Sequence, residues 1–209
     1  MIIGQLEKRI LEISCKYQLS HIGSSISAVR IIDNIYKVKK KDDIFLLSCS
    51  HANLSHIVIL EKYLGYNAEE LYKSQGVHST RDEKHDILCS GGHLGQVFAC
   101  AIGFALSNRF RNVFVLISDG EWYSGIVQEG LNFIHDNNLT NLKLHCNFNG
   151  YSALNKTNVE FISEVTLKYV PWAKIWCQDE NIYDNLPFLK GLNGHYAKIT
   201  ENDWNKINA

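Results

Sequence analysis

Short apolar segments that alternate with segments of helical periodicity constrain the fold of this chain more than any other feature. Several of the apolar segments are continuous, which is typical of strands in a parallel sheet that is covered on both faces. The predicted strands are IFLLS (44–48), NVFVLIS (112–118), NLKLHCNF (141–148), AKIWCQ (173–178) and HYAKIT (195–200). Helical patterns fall at residues 53–66, 67–74, 93–106 and 125–137. The alternation predicts an α/β fold with a doubly wound, mostly parallel sheet and helices on both faces.

The composition predicts one folded domain over residues 1–209 and argues against several kinds of partner. The chain has 209 residues, 45% of them hydrophobic, and a formal net charge of -1, so it has no excess of positive charge to attract nucleic acid or an anionic membrane. No apolar run approaches the roughly 20 residues that cross a bilayer. Residues 1–17 predict an amphipathic helix without a secretory signal, and the six cysteines form no CxxC pair. We therefore expect a cytoplasmic protein with free thiols.

The spacing of Asp119 and Asn149 predicts that the two residues meet. Each follows a predicted strand, and the 30 residues between them match one strand–helix–strand unit, with a helix that starts near Gly125. Such a unit returns the chain in the same direction, so both side chains should emerge at one edge of the sheet, beside the N-terminus of a helix. A carboxylate, an amide oxygen and helix amides suit a hard divalent cation that bridges to phosphate. Asp-Gly and Asn-Gly are also ordinary turn sequences, so a simple pair of turns remains the alternative.

The wider context of these two residues resembles a known family. Asp-Gly followed about 30 residues later by Asn is similar to the thiamine diphosphate (ThDP) binding motif. SHIGSSISAVRIID (20–33), LLSCSHAN (46–53), GVHST (76–80) and CSGGHLGQ (89–96) resemble, in the same order, further segments of the transketolase family. The resemblance extends from about residue 6 to residue 155, and it implies the ThDP-binding fold of the diphosphate-binding type.

The resemblance assigns roles residue by residue. It implies that Mg²⁺ (or Ca²⁺ or Mn²⁺) binds the side chains of Asp119 and Asn149 and the carbonyl of Tyr151. It places Gly120 and His51 on the diphosphate of ThDP, and Gly92 and Leu94 along the cofactor. His21 and His78 match catalytic histidines that handle substrate oxygens, and Glu129 matches a cofactor-site glutamate that links active sites across a subunit interface.

The chain departs from the family pattern at several positions around this motif. Ser118 replaces the first glycine of Gly-Asp-Gly, Ser124 stands where a coupling glutamate is expected, and Asn147 replaces an aspartate. Ser50 likewise replaces the glycine before His51. The other histidines are less informative: His56 is expected on a helix surface or in packing, and His93 beside substrate or as a space filler. We expect structural roles for the remainder, His85, His135, His145 and His195.

The resemblance implies a function as well as a fold. The leading interpretation is the diphosphate-binding subunit of a split transketolase, which transfers a two-carbon ketol unit between sugars. The pyrimidine-binding domain is absent from residues 1–209, so a separate subunit should supply it, in a heterotetramer, with helix 97–106 as a candidate interface. One alternative is a ThDP-dependent 2-oxo acid decarboxylase that forms acyloins; another is a non-catalytic binding or regulatory homologue.

Overall fold

The computed structural model describes residues 3–177 and 183–208. In this part of the chain, four strands form one parallel sheet in the order β1-β2-β3-β4. They are β1 (Ile44–Leu47), β2 (Val113–Ser118), β3 (Leu142–Phe148) and β4 (Lys174–Cys177). Helices cover both faces of this sheet, which confirms the predicted α/β fold.

Ten helices surround the sheet in the described ranges. They are α1 (Gln5–Tyr17), α2 (Ile22–Val38), α3 (Asn53–Leu64), α4 (Ala68–Gln75), α5 (Gln96–Ser107), α6 (Asp119–Trp122), α7 (Gly125–Asp136), α8 (Val159–Tyr169), α9 (Asn193–Tyr196) and α10 (Glu201–Asn208). Short 3₁₀ turns occupy Ser50–Ala52, Glu83–His85 and Pro187–Leu189. Helix α3 ends at Gly65 in the left-handed conformation, and the side chain of Asn67 caps the first amides of α4.

Alternate strand residues face two separate hydrophobic cores. Phe45 and Leu47 of β1 pack against α1, α2 and α3, together with Phe114 and Leu116 of β2. Val115 and its neighbours on the opposite face pack against α5, α7 and α8. The strands are therefore buried on both faces, which explains why their sequences carry continuous apolar runs.

The sequence prediction was incomplete at α2 and α8, and wrong at HYAKIT. Helix α2 was not predicted because its first half is rich in serine; inside the helix, Ser27 Oγ donates to the Ser24 carbonyl at 2.9 Å. HYAKIT forms the end of α9 and an extended segment outside the sheet. Ile199 of this segment is buried against the core beside α1 and α2, so its apolar character reflects packing. AKIWCQ gives β4, with Gln178 outside the described residues.

The cysteines and the lengths of the helices bear on two further expectations. All six cysteines are free, and Cys49 and Cys146 are buried in the core. Among the residues that the structure describes, no helix has the length and the apolar character that a membrane span requires.

Candidate active site

The carboxyl ends of β1, β2 and β3 meet at a cavity of about 300 Å³. Ser118 and Asn147 are register partners at the ends of β2 and β3, so the loops that follow these strands leave the sheet side by side. Most of the residues that the sequence singled out for cofactor and metal line this cavity. They are His51, Leu94, Asp119, Gly120, Asn149 and Tyr151.

Asp119 joins the two strand ends directly. Its Oδ2 accepts hydrogen bonds from the Gly150 amide and from Thr157 Oγ1, each at 2.8 Å, and its Oδ1 accepts from the Gly120 amide at 3.1 Å. Because Gly150 follows Asn149, the bond from Gly150 brings the two predicted ligands to one edge of the sheet. This contact confirms the geometry that the 30-residue spacing predicts.

Oxygen atoms dominate the polar surface near Asp119. Asn149 Oδ1 accepts from the Tyr151 amide at 2.9 Å and lies at the cavity with Tyr151. Asn147 is 3% exposed; its Nδ2 donates to Ser27 Oγ at 2.8 Å, whereas its Oδ1 is buried without a hydrogen-bond partner. Within the described residues, no cluster of three or more His, Cys, Asp or Glu side chains could hold a metal ion. A cation here would therefore have to be held by amide and backbone oxygens beside Asp119, together with water or phosphate oxygens.

Burial changes the electrostatics of both acidic residues beside the cavity. It raises the pKa of Asp119 to about 6, against the opposing effect of the hydrogen bonds from Thr157, Gly150 and Gly120. Burial also raises the pKa of Glu121 to about 7, although Ser48, Gly95 and Ser118 donate to its carboxylate. Since neither residue belongs to an ion pair in the described part of the chain, this edge of the sheet favours a cation.

Four histidines from distant parts of the sequence gather beside the cavity. His51 and His195 line it, and the ring centroids of His21 and His195 are 4.2 Å apart in an edge-on arrangement. The His21 and His51 centroids are 5.9 Å apart, and His78 Nδ1 lies 3.1 Å from Ser50 Oγ. His21 and His78, the predicted catalytic residues, therefore lie beside the cavity without lining it.

Burial lowers the pKa of three of these histidines, His21, His51 and His195, and so favours their neutral form. Burial, with repulsion from the neighbouring histidines, lowers the pKa of His21 to about 4 and that of His51 to about 3. Burial also lowers the pKa of His195. The pKa values of His21 and His51 lie well below the ordinary value of 6.5, so these two rings act as hydrogen-bonding groups and do not carry charge at neutral pH.

Two other predicted site residues lie away from the cavity. Gly92 is exposed, with φ of 139°, in the loop before Leu94, and Glu129 is exposed on the surface of α7. Neither contributes to the cavity lining. Their roles along the cofactor and across an interface stay predictions. Ser124 occupies the N-cap position of α7, but its buried Oγ has no hydrogen-bond partner and makes no capping bond.

Sequence reasoning missed four residues at the site. Thr157 binds Asp119, Glu121 joins three loops, the Tyr183 hydroxyl donates to the Gly23 carbonyl at 3.3 Å, and His195 packs on His21. His195 was expected to be structural; its carbonyl accepts from the His21 amide at 3.0 Å, and its ring lines the cavity. Of these four residues, only Glu121 could have been noticed in the sequence, because Ser118 and Glu121 have the spacing of a capping box, which opens α6.

His56 and His145 have the packing and structural roles that were expected of them. His56 is buried and lies 2.9 Å from the Tyr36 hydroxyl, and His145 Nδ1 accepts from Trp176 Nε1 at 3.1 Å. His93 is exposed and does not line the cavity.

Comparison with known proteins identifies the family. Residues 2–170 match the N-terminal family model described as 1-deoxy-D-xylulose-5-phosphate synthase. The chain belongs to this family. Its members are ThDP-dependent and have a transketolase-like fold, so the family is more specific than the transketolase family that the motifs suggested.

Individual relatives belong to the same family, and this chain matches only part of the length of each. The chain is 25% identical over 173 residues to the 1-deoxy-D-xylulose-5-phosphate synthase of Fusobacterium nucleatum, covering 81% of this chain and 28% of the relative. It is 27% identical over 138 residues to the enzyme of the same name from a Nitratiruptor species, covering 63% of this chain and 23% of the relative. The chain thus spans less than a third of the length of the curated relatives it matches.

A solved structure supports the fold independently. The chain superposes on a transketolase from Leishmania mexicana with a TM-score of 0.63 and 22% identity, covering 81% of this chain and 31% of that one. At this level of identity, the likeness concerns the fold alone.

The residues at the cavity fit a metal-bound diphosphate. The atoms near Asp119 that could bind a metal are oxygens, which is the ligand type of Mg²⁺. The protein supplies too few of these oxygens to complete the coordination of Mg²⁺ without phosphate and water. Gly120 has little space for a side chain, because a Cβ there would approach Ser152 at 3.2 Å, so glycine lets the backbone lie at the cavity wall.

Proposed function

We propose that this chain supplies the metal- and diphosphate-binding half of a ThDP-dependent active site that transfers a two-carbon unit to an aldehyde. The observation that carries the proposal is the hydrogen bond from Gly150 to Asp119 at the edge of the cavity. It holds a carboxylate and the Asn149 amide oxygen together at the carboxyl ends of two parallel strands, where α/β sheets bind their ligands.

The proposed ligands follow from the oxygen atoms at this edge. Asp119 and Asn149 would hold Mg²⁺ through their side chains, and Tyr151 would do so through its carbonyl. Gly120 would donate its amide to the diphosphate, and Leu94 would pack along the cofactor. When bound, ThDP supplies the nucleophilic carbon with which carbon–carbon bonds next to a carbonyl are broken and formed.

The histidines suit the oxygen atoms of a sugar substrate. His51 and His195 reach the cavity, and His21 packs against His195. Because the lowered pKa values of His21 and His51 keep these rings neutral, each ring can donate one N–H and accept one hydrogen bond. Neutral rings of this kind can orient hydroxyl and carbonyl oxygens and pass a proton between them.

Family membership bears on the two-carbon unit. The product in the relatives' name, 1-deoxy-D-xylulose 5-phosphate, carries a methyl group next to its ketone. Formal cleavage of the bond between the ketone carbon and the next hydroxyl-bearing carbon divides this product into an acetyl unit and a phosphorylated three-carbon aldehyde. An acetyl unit without a hydroxyl group comes from a 2-oxo acid by loss of carbon dioxide, whereas a transketolase moves a ketol unit. The name of the relatives therefore favours the acyloin-forming alternative over ketol transfer for this chain.

The second half of the site is part of the proposal. A pyrimidine-binding domain would come from a separate subunit, in a heterotetramer of two chains of each kind. Apolar residues on α5 and α7 support such a contact: Leu106, Ile126 and Phe133 are each about two-fifths exposed, and Phe110 after α5 is fully exposed. Solvent-exposed apolar residues grouped on neighbouring elements are typical of interfaces.

Co-expression with the polypeptide encoded beside this chain tests the proposal. The purified complex is titrated with ThDP in the presence and absence of Mg²⁺, and product formation is then followed with a ketose donor and, separately, with a 2-oxo acid donor plus an aldehyde acceptor. We expect Mg²⁺-dependent ThDP binding and turnover of the 2-oxo acid. Turnover of the ketose alone would instead support ketol transfer.

A complex that binds no ThDP would overturn the enzymatic proposal and leave the non-catalytic homologue. ThDP binding by this chain without any partner would contradict the shared site. The Mg²⁺-free titration is the control for binding that does not depend on the proposed metal ligands.

A further inference from the structure

Glu121 is a fully buried carboxylate that the proposed chemistry does not use. It is 0% exposed, although it borders the cavity, and it belongs to no ion pair among the residues that the structure describes. A buried carboxylate of this kind is costly to keep unless several donors satisfy it. The donors around it therefore indicate what the residue does.

The carboxylate of Glu121 binds three separate segments of the chain. Its Oε1 accepts from the hydroxyl of Ser48 and, at 2.8 Å, from the amide of Gly95. Its Oε2 accepts from the Ser118 amide at 3.4 Å, and Ser118 Oγ caps the Glu121 amide in return. One side chain thus connects the end of β1, the start of α5 and the end of β2.

Each of these segments carries a residue of the proposed cofactor site. Ser48 lies three residues before His51, Gly95 follows Leu94, and Ser118 precedes Asp119. The cavity is bounded by His51, Leu94 and Asp119 together. The distances between them depend on how the three segments are held relative to one another.

The start of α5 is the segment that depends most on this carboxylate. Gly95 is the N-cap of α5 with φ of 82°, so its amide needs a partner outside the helix, and Glu121 provides it. A Cβ at Gly95 would come within 2.8 Å of Ser124 Oγ and 3.0 Å of Ile126 Cβ, so glycine also lets the segment approach α7 closely. An anionic acceptor at the N-terminus of α5 is further stabilised by the helix dipole.

We propose that Glu121 is a positioning residue that sets the loop carrying Leu94 and the loop carrying His51 against the metal-binding turn at Asp119. This assignment rests on the proposed function of the cavity. It predicts that changes at Glu121 weaken cofactor binding by misplacing Leu94 and His51, without removing any group that touches the cofactor or the metal.

The test uses the complex with its partner subunit and three variants. Glu121→Gln keeps the shape and one oxygen acceptor but turns an N–H toward one of the donors, and Glu121→Ala removes every acceptor. Asn141→Ala is the matched control: its Nδ2 donates to three carbonyl groups, those of Ala105, Asn108 and Arg111, at the opposite end of the sheet. For each protein we measure ThDP affinity with Mg²⁺, the free energy of unfolding, and amide hydrogen exchange of residues 92–96.

The proposal predicts that ThDP affinity depends on Glu121 and does not simply follow the free energy of unfolding. Glu121→Gln should bind ThDP about tenfold more weakly than the unmodified protein, Glu121→Ala more weakly still, and both should lose exchange protection at Gly95. Asn141→Ala should lose stability and keep its ThDP affinity and its protection at Gly95. Such a result cannot come from a general loss of stability, because the control shares that loss.

Two outcomes would overturn the assignment in distinguishable ways. If the unmodified complex binds ThDP and the Glu121 variants bind it equally well, or no more weakly than Asn141→Ala does, Glu121 does not position the site and the proposed function stands. If the unmodified complex binds no ThDP, the proposed function fails, and the assignment fails with it.

Discussion

Replacing Asp119 with asparagine separates the cost of this carboxylate to the fold from its value to a bound cation. Burial raises its pKa from 3.8 to about 6, so the folded chain binds this proton more tightly than the unfolded chain does. The stability that comes from the protonated form is complete below about pH 4 and is lost as the pH rises through about 6. At pH 7 the ionised carboxylate therefore destabilises the metal-free fold by ~3 kcal/mol, at 1.36 kcal/mol for each pKa unit.

Asparagine removes this charge but keeps the shape of the side chain. Its oxygen can accept from Gly150 and Thr157 as Oδ2 does now, which leaves its amide nitrogen facing the Gly120 N–H. Two donors that face each other in a buried site cost about 1–3 kcal/mol. The two effects oppose each other, so we expect the metal-free variant to lie within ~2 kcal/mol of the unmodified chain in its free energy of unfolding.

The affinity for ThDP should change far more than the free energy of unfolding when Asp119 is replaced with asparagine. Attraction between two unit charges 4 Å apart near a protein surface is about 4 kcal/mol, and a divalent cation doubles the charge on one side. A hundredfold loss of affinity corresponds to only about 2.7 kcal/mol. We therefore expect Asp119→Asn to weaken Mg²⁺-dependent ThDP binding by at least a hundredfold.

The assays are urea unfolding without metal between pH 4 and pH 8, and calorimetric titration of the complex with ThDP and Mg²⁺. The unmodified chain should lose stability relative to Asp119→Asn as the pH rises from 4 to 7. Taking the difference between the two proteins removes the contribution of Glu121, whose pKa of about 7 acts in the same direction. Undiminished Mg²⁺-dependent binding, or a variant that is several kcal/mol less stable at pH 7, would refute the reasoning.

Three further substitutions test individual contacts. Thr157→Val removes the hydroxyl that donates to Asp119 and should weaken Mg²⁺-dependent ThDP binding up to about tenfold in a calorimetric titration, with little change in stability. Gly23→Ala would place a Cβ 2.9 Å from Gly194, so the free energy of unfolding in urea should fall by about 1–3 kcal/mol. Amide hydrogen exchange should increase around His195. Gly103→Ala is the control, because a Cβ there meets no atom within 4 Å. Tyr36→Phe leaves buried His56 without its partner and should cost about 1–3 kcal/mol on unfolding while ThDP affinity stays unchanged.

The parts of the site that local sequence predicts are those that the sheet itself positions. VFVLIS and LHCNF became β2 and β3 in parallel register, and this register alone places the residues after Ser118 beside those after Asn147. A hydrophobic run fixes which residues form a strand, and the parallel crossover fixes which ends meet. The sequence alone therefore predicts that Asp119 and Asn149 lie close together.

The histidine cluster and the role of Glu121 could not be predicted in this way. Their contacts join residues far apart in sequence, and neither strand register nor helical period specifies which loops touch. Glu121 reaches back 73 residues to Ser48 and 26 residues to Gly95. A buried glutamate next to an Asp-Gly turn reads in sequence as a capping residue, which it also is.

His195 lies in the short helix α9, whose last two residues were predicted to begin the strand HYAKIT. Gly194 of α9 lies so close to Gly23 of α2 that a Cβ on either residue would come within 3.5 Å of the other's Cα. This contact between two glycines lets the α9 backbone approach α2, and the His21 amide then bonds to the His195 carbonyl. His21 itself has φ of 60°, a conformation that few residues other than glycine adopt, and this bond helps to hold it there. The placement of His195 at the cavity is thus decided by the absence of side chains at Gly23 and Gly194, a signal that no pattern of polar residues carries.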